Sequence, residues 1–282
     1  MLASSMTKSF VFDSSFGANA LYWLCGLAED ERGPTRRMVE DLQGHDRLPI
    51  PVIQINLHSP DEMILALQDL RNMAACNGGV RPIVHLDMHG SPSEGIKVGT
   101  GFLDWETLGN ALRDLNIATG NKLLVVGGVC HSLSTIRSLD LHSASPFYTL
   151  IALEGEVLTG MLEDRVVPFY DTLLKTASLD QAVAQLGELF RYVHCEKVLF
   201  TVLARYIKKG LKGRTLEERR ERLLTEVFLG HGDEMPDALK LARAKIKSGL
   251  KPSQDLVDRY AGRFLCNRPC SFSIEDLLNM VS

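Results

Sequence analysis

Residues 82–87, PIVHLD, and residues 122–126, KLLVV, decide the fold of this chain. Both are short runs rich in aliphatic residues, and continuous apolar runs of this length are typical of strands covered on both faces. The stretch 105–115 between them carries leucines at helical spacing and begins after Asp104, a residue that favours helix N-caps. The order strand, helix, strand predicts two parallel neighbours joined by a crossover.

The flanking sequence extends this pattern. Residues 51–57 and 148–153 predict two further strands, and Ser59-Pro60-Asp61 marks the start of a helix that runs to about Ala75. Residues 18–27 are apolar and suggest a helix. The first 155 residues therefore predict an α/β fold with a mostly parallel sheet flanked by helices.

Beyond residue 157 we expect helices and no further strong strand. The predicted helices span residues 166–176, 179–192, 196–208, 214–228, 235–248, 253–263 and 273–280. A chain of 282 residues exceeds what most single α/β domains need. We therefore expect a first domain over residues 1–193 and an all-helical C-terminal extension over residues 194–282.

Composition limits the classes of partner. The formal net charge is −4, so neither nucleic acid nor an anionic membrane is expected as a partner. The apolar runs are too short to cross a bilayer, and the first residues lack a signal-peptide pattern. We expect a cytoplasmic protein whose six cysteines are mostly buried, reduced and inert.

A histidine and a cysteine, two residue types that often take part in catalysis, follow the deciding strands. His89-Gly90 comes after PIVHLD, and Cys130 comes after KLLVV and two glycines. Since the functional crevice of an open α/β sheet lies at the carboxyl ends of its strands, we expect His89 and Cys130 to approach each other.

This pair suits nucleophilic catalysis. A thiol becomes a strong nucleophile when it loses its proton, and a nearby imidazole can accept that proton and later protonate a leaving amine. The resulting oxyanion needs preorganised donors, for which the backbone N–H groups of Gly90 and Cys130 are candidates.

The segments PIVHLDMHGSPSEGI, LDWETLGNALRDLN and NKLLVVGGVCHS resemble the caspase-like cysteine peptidases, in particular their bacterial CHAT-type branch. Residues 166–187 also look like the family, so the resemblance covers roughly residues 8–190. It implies a caspase-like sheet, His89 as general acid and base, Cys130 as nucleophile, and Gly90 and Cys130 as oxyanion-hole donors. It also suggests a role in bacterial signalling or defence.

The resemblance has a limit, because caspases proper carry a Q-A-C-x-G box. Here His131-Ser132 follows Cys130, so the aspartate specificity of caspases is not implied. The expected function is a cysteine endopeptidase that cleaves a protein substrate, with a catalytically silent caspase-like interaction module as the alternative.

The residues near the two strand ends have the following interpretations. Asp87 and Glu94 flank His89 and either orient the imidazole, bind a basic substrate side chain or are solvated loop acids. Asp13 ends an early β-prone run and is a candidate for the substrate pocket. His85 lies within its strand and is expected to pack in the sheet. The neighbour of the nucleophile, His131, is expected to point away from it.

No cofactor and no metal are expected, since the spacing of Cys266 and Cys270 is loose for zinc and a local fourth ligand is missing. The loop 133–146 follows the nucleophile. A regulatory protein or assembly that orders this loop is the expected kind of activator.

Overall fold

In the computed structural model, each of the two deciding runs forms a strand of the sheet. The structure describes residues 12, 14–44, 49–76, 78–157, 159–210, 217–218, 221–223, 244, 246 and 252–281. The strands are β1 (Ala20–Cys25), β2 (Val52–Asn56), β3 (Pro82–Asp87), β4 (His89–Ser91), β5 (Gly95–Val98), β6 (Gly101–Leu103), β7 (Leu124–Gly127), β8 (Thr149–Leu153) and β9 (Phe190–His194).

Helices connect these strands and follow them. They are α1 (Gly33–Gly44), α2 (Pro60–Ala75), α3 (Trp105–Ala118), α4 (Thr159–Thr176), α5 (Leu179–Leu186), α6 (Cys195–Gly210), α7 (Gln254–Phe264) and α8 (Ile274–Val281). Two of them begin as predicted: Ser59 caps α2 by accepting from the N–H of Glu62, and Asp104 caps α3. Among the described residues, no helix is long and apolar enough to cross a membrane.

The main sheet has six strands in the order β2-β1-β3-β7-β8-β9. The first five are parallel, and β9 is antiparallel to β8. The predicted α/β class with a mostly parallel sheet is therefore confirmed, as is the adjacency of β3 and β7. A second, three-stranded antiparallel sheet of β4, β5 and β6 stands at the carboxyl end of β3.

Both faces of the sheet are covered. Alternate residues of β1 enter two separate apolar clusters, with Leu21 and Trp23 in one and Tyr22 and Leu24 in the other. Helices α2 and α3 complete the second cluster. Apolar residues of α1 and of α4 to α8 complete the first.

Two local predictions are wrong. Residues 18–27 contain β1, a fully buried strand between β2 and β3, and not a helix. The predicted helix 179–192 ends at Leu186, where Gly187 takes a positive φ of 65°, and residues 190–194 form β9. This last stretch pairs with β8 and forms the edge strand of the main sheet.

The domain division at residue 193 stays a prediction. Apolar side chains of α6, α7 and α8, among them Leu203, Phe264 and Leu277, join the same cluster as Trp23 of the sheet. The predicted helices 214–228 and 235–248 lie almost entirely outside the described residues.

Candidate active site

His89 stands at the carboxyl edge of the main sheet. Strand β3 ends at Asp87, Met88 turns into the core, and His89 opens the antiparallel hairpin opposite Lys97. Its side chain is 56 % exposed, so the imidazole faces solvent.

Cys130 lies at the same edge, in a sharp turn after β7. Leu86 of β3 pairs with Gly127 of β7, which places the two strand ends side by side. The N–H of Ser132 bonds the carbonyl of Val129 at 3.1 Å, and His131 holds a left-handed φ of 60°. A left-handed residue other than glycine costs about 1–2 kcal/mol, and such strain concentrates at functional sites.

Ser132 fixes this turn to the sheet. Its buried hydroxyl donates to the carbonyl of Gly127 at 3.1 Å and accepts from the N–H of Leu153 at 2.9 Å. The turn therefore spans the ends of β7 and β8, and a 3-10 helix over Ser132–Ser138 follows it.

Gly90 brings the histidine segment directly against the cysteine turn. A Cβ atom on Gly90 would lie 2.0 Å from the carbonyl oxygen of Cys130 and 2.7 Å from Cγ1 of Val129. Real Cβ atoms essentially never approach a neighbour so closely. Glycine is therefore required at position 90, and the backbones of Gly90 and Cys130 are in contact.

A further feature of this turn is the backbone N–H of Cys130. No group in the described part of the chain accepts a hydrogen bond from it. Unpaired backbone N–H groups are among the donors from which oxyanion holes are built.

Glu31, which sequence reasoning missed, holds the imidazole of His89. Nε2 of His89 donates to Oε1 of Glu31 at 2.9 Å, and this hydrogen bond lowers the pKa of the Glu31 carboxyl. Between described residues, no hydrogen bond joins the His89 ring to the Cys130 thiol. Free enzymes often hold a catalytic pair further apart than their substrate complexes do.

Asp87 lies beneath the site rather than on it. Its buried Oδ2 accepts from Nε1 of Trp23 at 2.9 Å and from the hydroxyl of Thr35 at 2.5 Å. Burial raises the pKa of the Asp87 carboxyl, and these two hydrogen bonds oppose that rise. Asp87 thus links β3 to β1 and α1.

Among the described residues, Glu94 makes no hydrogen bond to the imidazole of His89. Glu94 donates its backbone N–H to Oγ of Ser91 at 3.2 Å, and its carboxylate has no hydrogen bond or ion pair within the described ranges. Asp13 lies outside the described residues.

His85 packs in the sheet, as predicted. Its ring stacks on Trp23 with centroids 3.6 Å apart, and its Nδ1 lies 2.8 Å from the hydroxyl of Tyr170. Burial lowers the pKa of His85 to about 3. The ring is therefore neutral near pH 7 and remote from solvent.

The loop 133–146 is anchored at several points. Arg113 of α3 donates to the carbonyl of Ser138 at 2.5 Å and to that of Ala144 at 2.8 Å. On the other side, the N–H of Ser145 donates to the carbonyl of Phe264 in α7 at 2.9 Å. The loop after the nucleophile thus connects the crossover helix to the C-terminal helices.

The six cysteines differ in environment. All are free thiols: Cys25 and Cys195 are buried, Cys76 is exposed, and the others are partly buried. Burial raises the pKa of Cys25 and Cys195, and it raises that of Cys266 and Cys270 to about 11. In the part of the chain that the structure describes, no group of His, Cys, Asp or Glu is suited to hold a metal ion.

No protein-family model matches this chain, and no curated protein matches it. The site must therefore be interpreted from its own geometry.

Proposed function

We propose that this protein is a caspase-like cysteine endopeptidase in which Cys130 is the nucleophile and His89 the general acid and base. The observation that carries the proposal is the contact between Gly90 and Cys130. It joins a His-Gly segment and a strained cysteine turn at the ends of two adjacent parallel strands.

The proposed reaction begins when His89 takes the proton of the Cys130 thiol. The sulfur attacks the substrate carbonyl carbon, a C–S bond forms, and the π electrons move to oxygen. The backbone N–H groups of Cys130 and Gly90 are the proposed donors to this oxyanion.

The tetrahedral intermediate collapses as the C–N bond breaks, and His89 gives its proton to the leaving amine. Water then attacks the thioester with His89 as base and regenerates the thiol. Glu31 is a positioning residue in this scheme, because its carboxylate accepts a hydrogen bond from the ring and so orients it.

A silent interaction module is the second candidate. The observation that favours it is the engagement of His89 by Glu31 in place of the thiol. Under either proposal the binding partner is a protein, and activation through the loop 133–146 stays a prediction.

Thiol labelling separates the two candidates, since Cys76 is more exposed than Cys130. If exposure alone governs reactivity, iodoacetamide labels Cys76 first. If His89 activates the thiol, Cys130 is labelled faster at neutral pH, and a peptidyl acyloxymethylketone reacts with Cys130 alone. This preference should disappear in His89→Ala, whereas Cys130 should be labelled at the wild-type rate in Cys76→Ala. Faster labelling of Cys76 in the wild type, with no reaction of the ketone, would favour the module.

A further inference from the structure

A basic pocket lies at the opposite edge of the sheet from His89 and Cys130. Arg81 and Tyr148 directly precede β3 and β8, Lys122 lies two residues before β7, and all three line the pocket. Its volume is 340 Å³, and the amino ends of the strands are about 17 Å from their carboxyl ends at the rise of a six-residue strand. This pocket is therefore separate from the candidate active site.

A third cation is held over the pocket by the C-terminal segment. The guanidinium of Arg268 lies 3.9 Å from the centroid of the Tyr148 ring, and its Nη1 donates to the carbonyl of Asn121 at 3.0 Å. Within the described part of the chain, this guanidinium uses one of its five N–H donors, which bonds the carbonyl of Asn121. The remaining donors are available to a ligand.

The chain's N-terminal segment closes the other side. Ser15, Phe16 and Gly17 line the pocket, and the N–H of Phe16 donates to the carbonyl of Ala177 at 2.9 Å. A second cleft of 400 Å³ adjoins it and shares Arg81 and Lys122. Arg81 and Lys122 therefore face a larger basic depression that the two clefts form together.

The described linings of the two clefts carry positive charge and no negative charge. Neither cleft has an Asp or Glu in its described lining, and none of the three cations takes part in an ion pair there. Three like charges around one cavity repel one another, and a bound anion relieves that repulsion. Such a concentration of positive charge is notable in a chain of net charge −4.

We propose that the pocket formed by Arg81, Lys122 and Arg268 binds a small phosphate-bearing polyanion. Arginine presents a planar fork of donors that matches phosphate oxygens, and lysine adds a compact point charge. The volume suits a small molecule and not a macromolecular chain. The ligand would contact the N-terminal segment, the sheet and the C-terminal segment at once.

Titration calorimetry with sodium pyrophosphate on the full chain, at constant ionic strength, tests this site. The proposal expects one molecule bound per chain, with Arg81→Gln and Lys122→Gln each weakening binding about tenfold, as loss of a charged hydrogen bond does. Both side chains are exposed, so these variants should fold. Arg205→Gln removes one positive charge from an exposed position of α6 and should bind like the wild type.

Two results would overturn the proposal. One is the absence of binding at millimolar pyrophosphate. The other is equal weakening in Arg205→Gln and Arg81→Gln, which would indicate attraction to overall charge and not to a site. Hydrogen exchange gives a second readout: pyrophosphate should slow exchange around residues 14–17 and 266–268 in the wild type, and it should not do so in the double variant of Arg81 and Lys122.

Discussion

Nε2 of His89 lies 2.9 Å from Oε1 of Glu31, across 58 residues of sequence. The side chains are 56 % and 44 % exposed, so solvent screens the pair. Exposed ion pairs contribute at most about 1 kcal/mol, which corresponds to less than a tenfold change in rate. Glu31 is therefore expected to modulate the activity that depends on His89 and not to be essential for it.

The substitution Glu31→Gln tests this upper limit on the contribution of Glu31 to the rate. We expect kcat/KM for a peptide substrate to fall by less than about tenfold, and the deficit to shrink at high salt because screening already weakens the pair. His89→Ala is the matched comparison and should remove activity. A loss in Glu31→Gln as large as that in His89→Ala would contradict the positioning role.

The substitution Gly90→Ala should separate catalysis from folding. Its Cβ would overlap the Cys130 carbonyl, so the two backbone segments must move apart by about 1 Å. Displacement of this size at a reacting centre costs about a hundredfold in kcat. Overpacking typically costs about 1–3 kcal/mol of stability, so unfolding in urea should be followed alongside activity.

The control for that experiment is Gly160→Ala. Gly160 lies in α4, and a Cβ there would meet nothing within 4 Å. Activity and stability should remain at wild-type levels. Full activity of Gly90→Ala would mean that the contact between residues 90 and 130 is not needed for the reaction.

His85 makes the fold sensitive to acid. The pKa of His85 is about 3 in the folded chain, against about 6.5 in an unfolded one. Below pH 6.5 the unfolded state takes up a proton that the folded state does not. The stability that His85 contributes is therefore complete above pH 6.5 and is lost as the pH falls towards 3, at up to about 1.4 kcal/mol per pH unit.

The comparison of wild type with His85→Gln isolates this contribution. The free energy of unfolding, measured in urea from pH 7 to pH 4.5, should fall more steeply in the wild type. Asp87 titrates in both proteins and cancels from the difference, although burial raises its pKa and acts in the opposite direction. Parallel curves for the two proteins would show that His85 does not titrate in this way.

Arg113 should control the order of the loop 133–146. In Arg113→Ala the hydrogen bonds to Ser138 and Ala144 are lost, so we expect faster limited proteolysis within the loop and an unfolding free energy lower by about 1–3 kcal/mol. Arg37→Ala removes an exposed arginine that pairs with Glu163, and it should change stability by less than about 1 kcal/mol. Equal proteolysis of the two variants would argue against an anchoring role for Arg113.

The sequence was sufficient to predict β3, β7 and their adjacency, because buried parallel strands carry continuous apolar runs and flank a capped helix. It was insufficient for β1, since ALYWLC has no period that separates a buried strand from a buried helix. The aromatic Tyr22 and Trp23 were the available indication of a strand. For β9 the indication was Gly187, a residue that favours the end of a helix.

The error over β1 explains why Glu31 was missed. Glu29–Glu31 forms the 3-10 turn that follows β1, and β1 is the neighbour of β3. With β1 assigned as a strand, the acids after it fall at the same edge as His89. Which of the acids Glu31, Asp87 and Glu94 bonds the imidazole of His89 depends on side-chain geometry between distant segments. A sequence pattern does not encode that geometry.

The hydrogen bonds of Arg113 have a consequence if the chain is cleaved within the loop 133–146. Its guanidinium bonds the carbonyls of Ser138 and Ala144, which lie on either side of residues 139–143. Cleavage between them would leave both new ends fastened to the same helix. The two fragments would elute together as one particle under native conditions, and only denaturant would separate them.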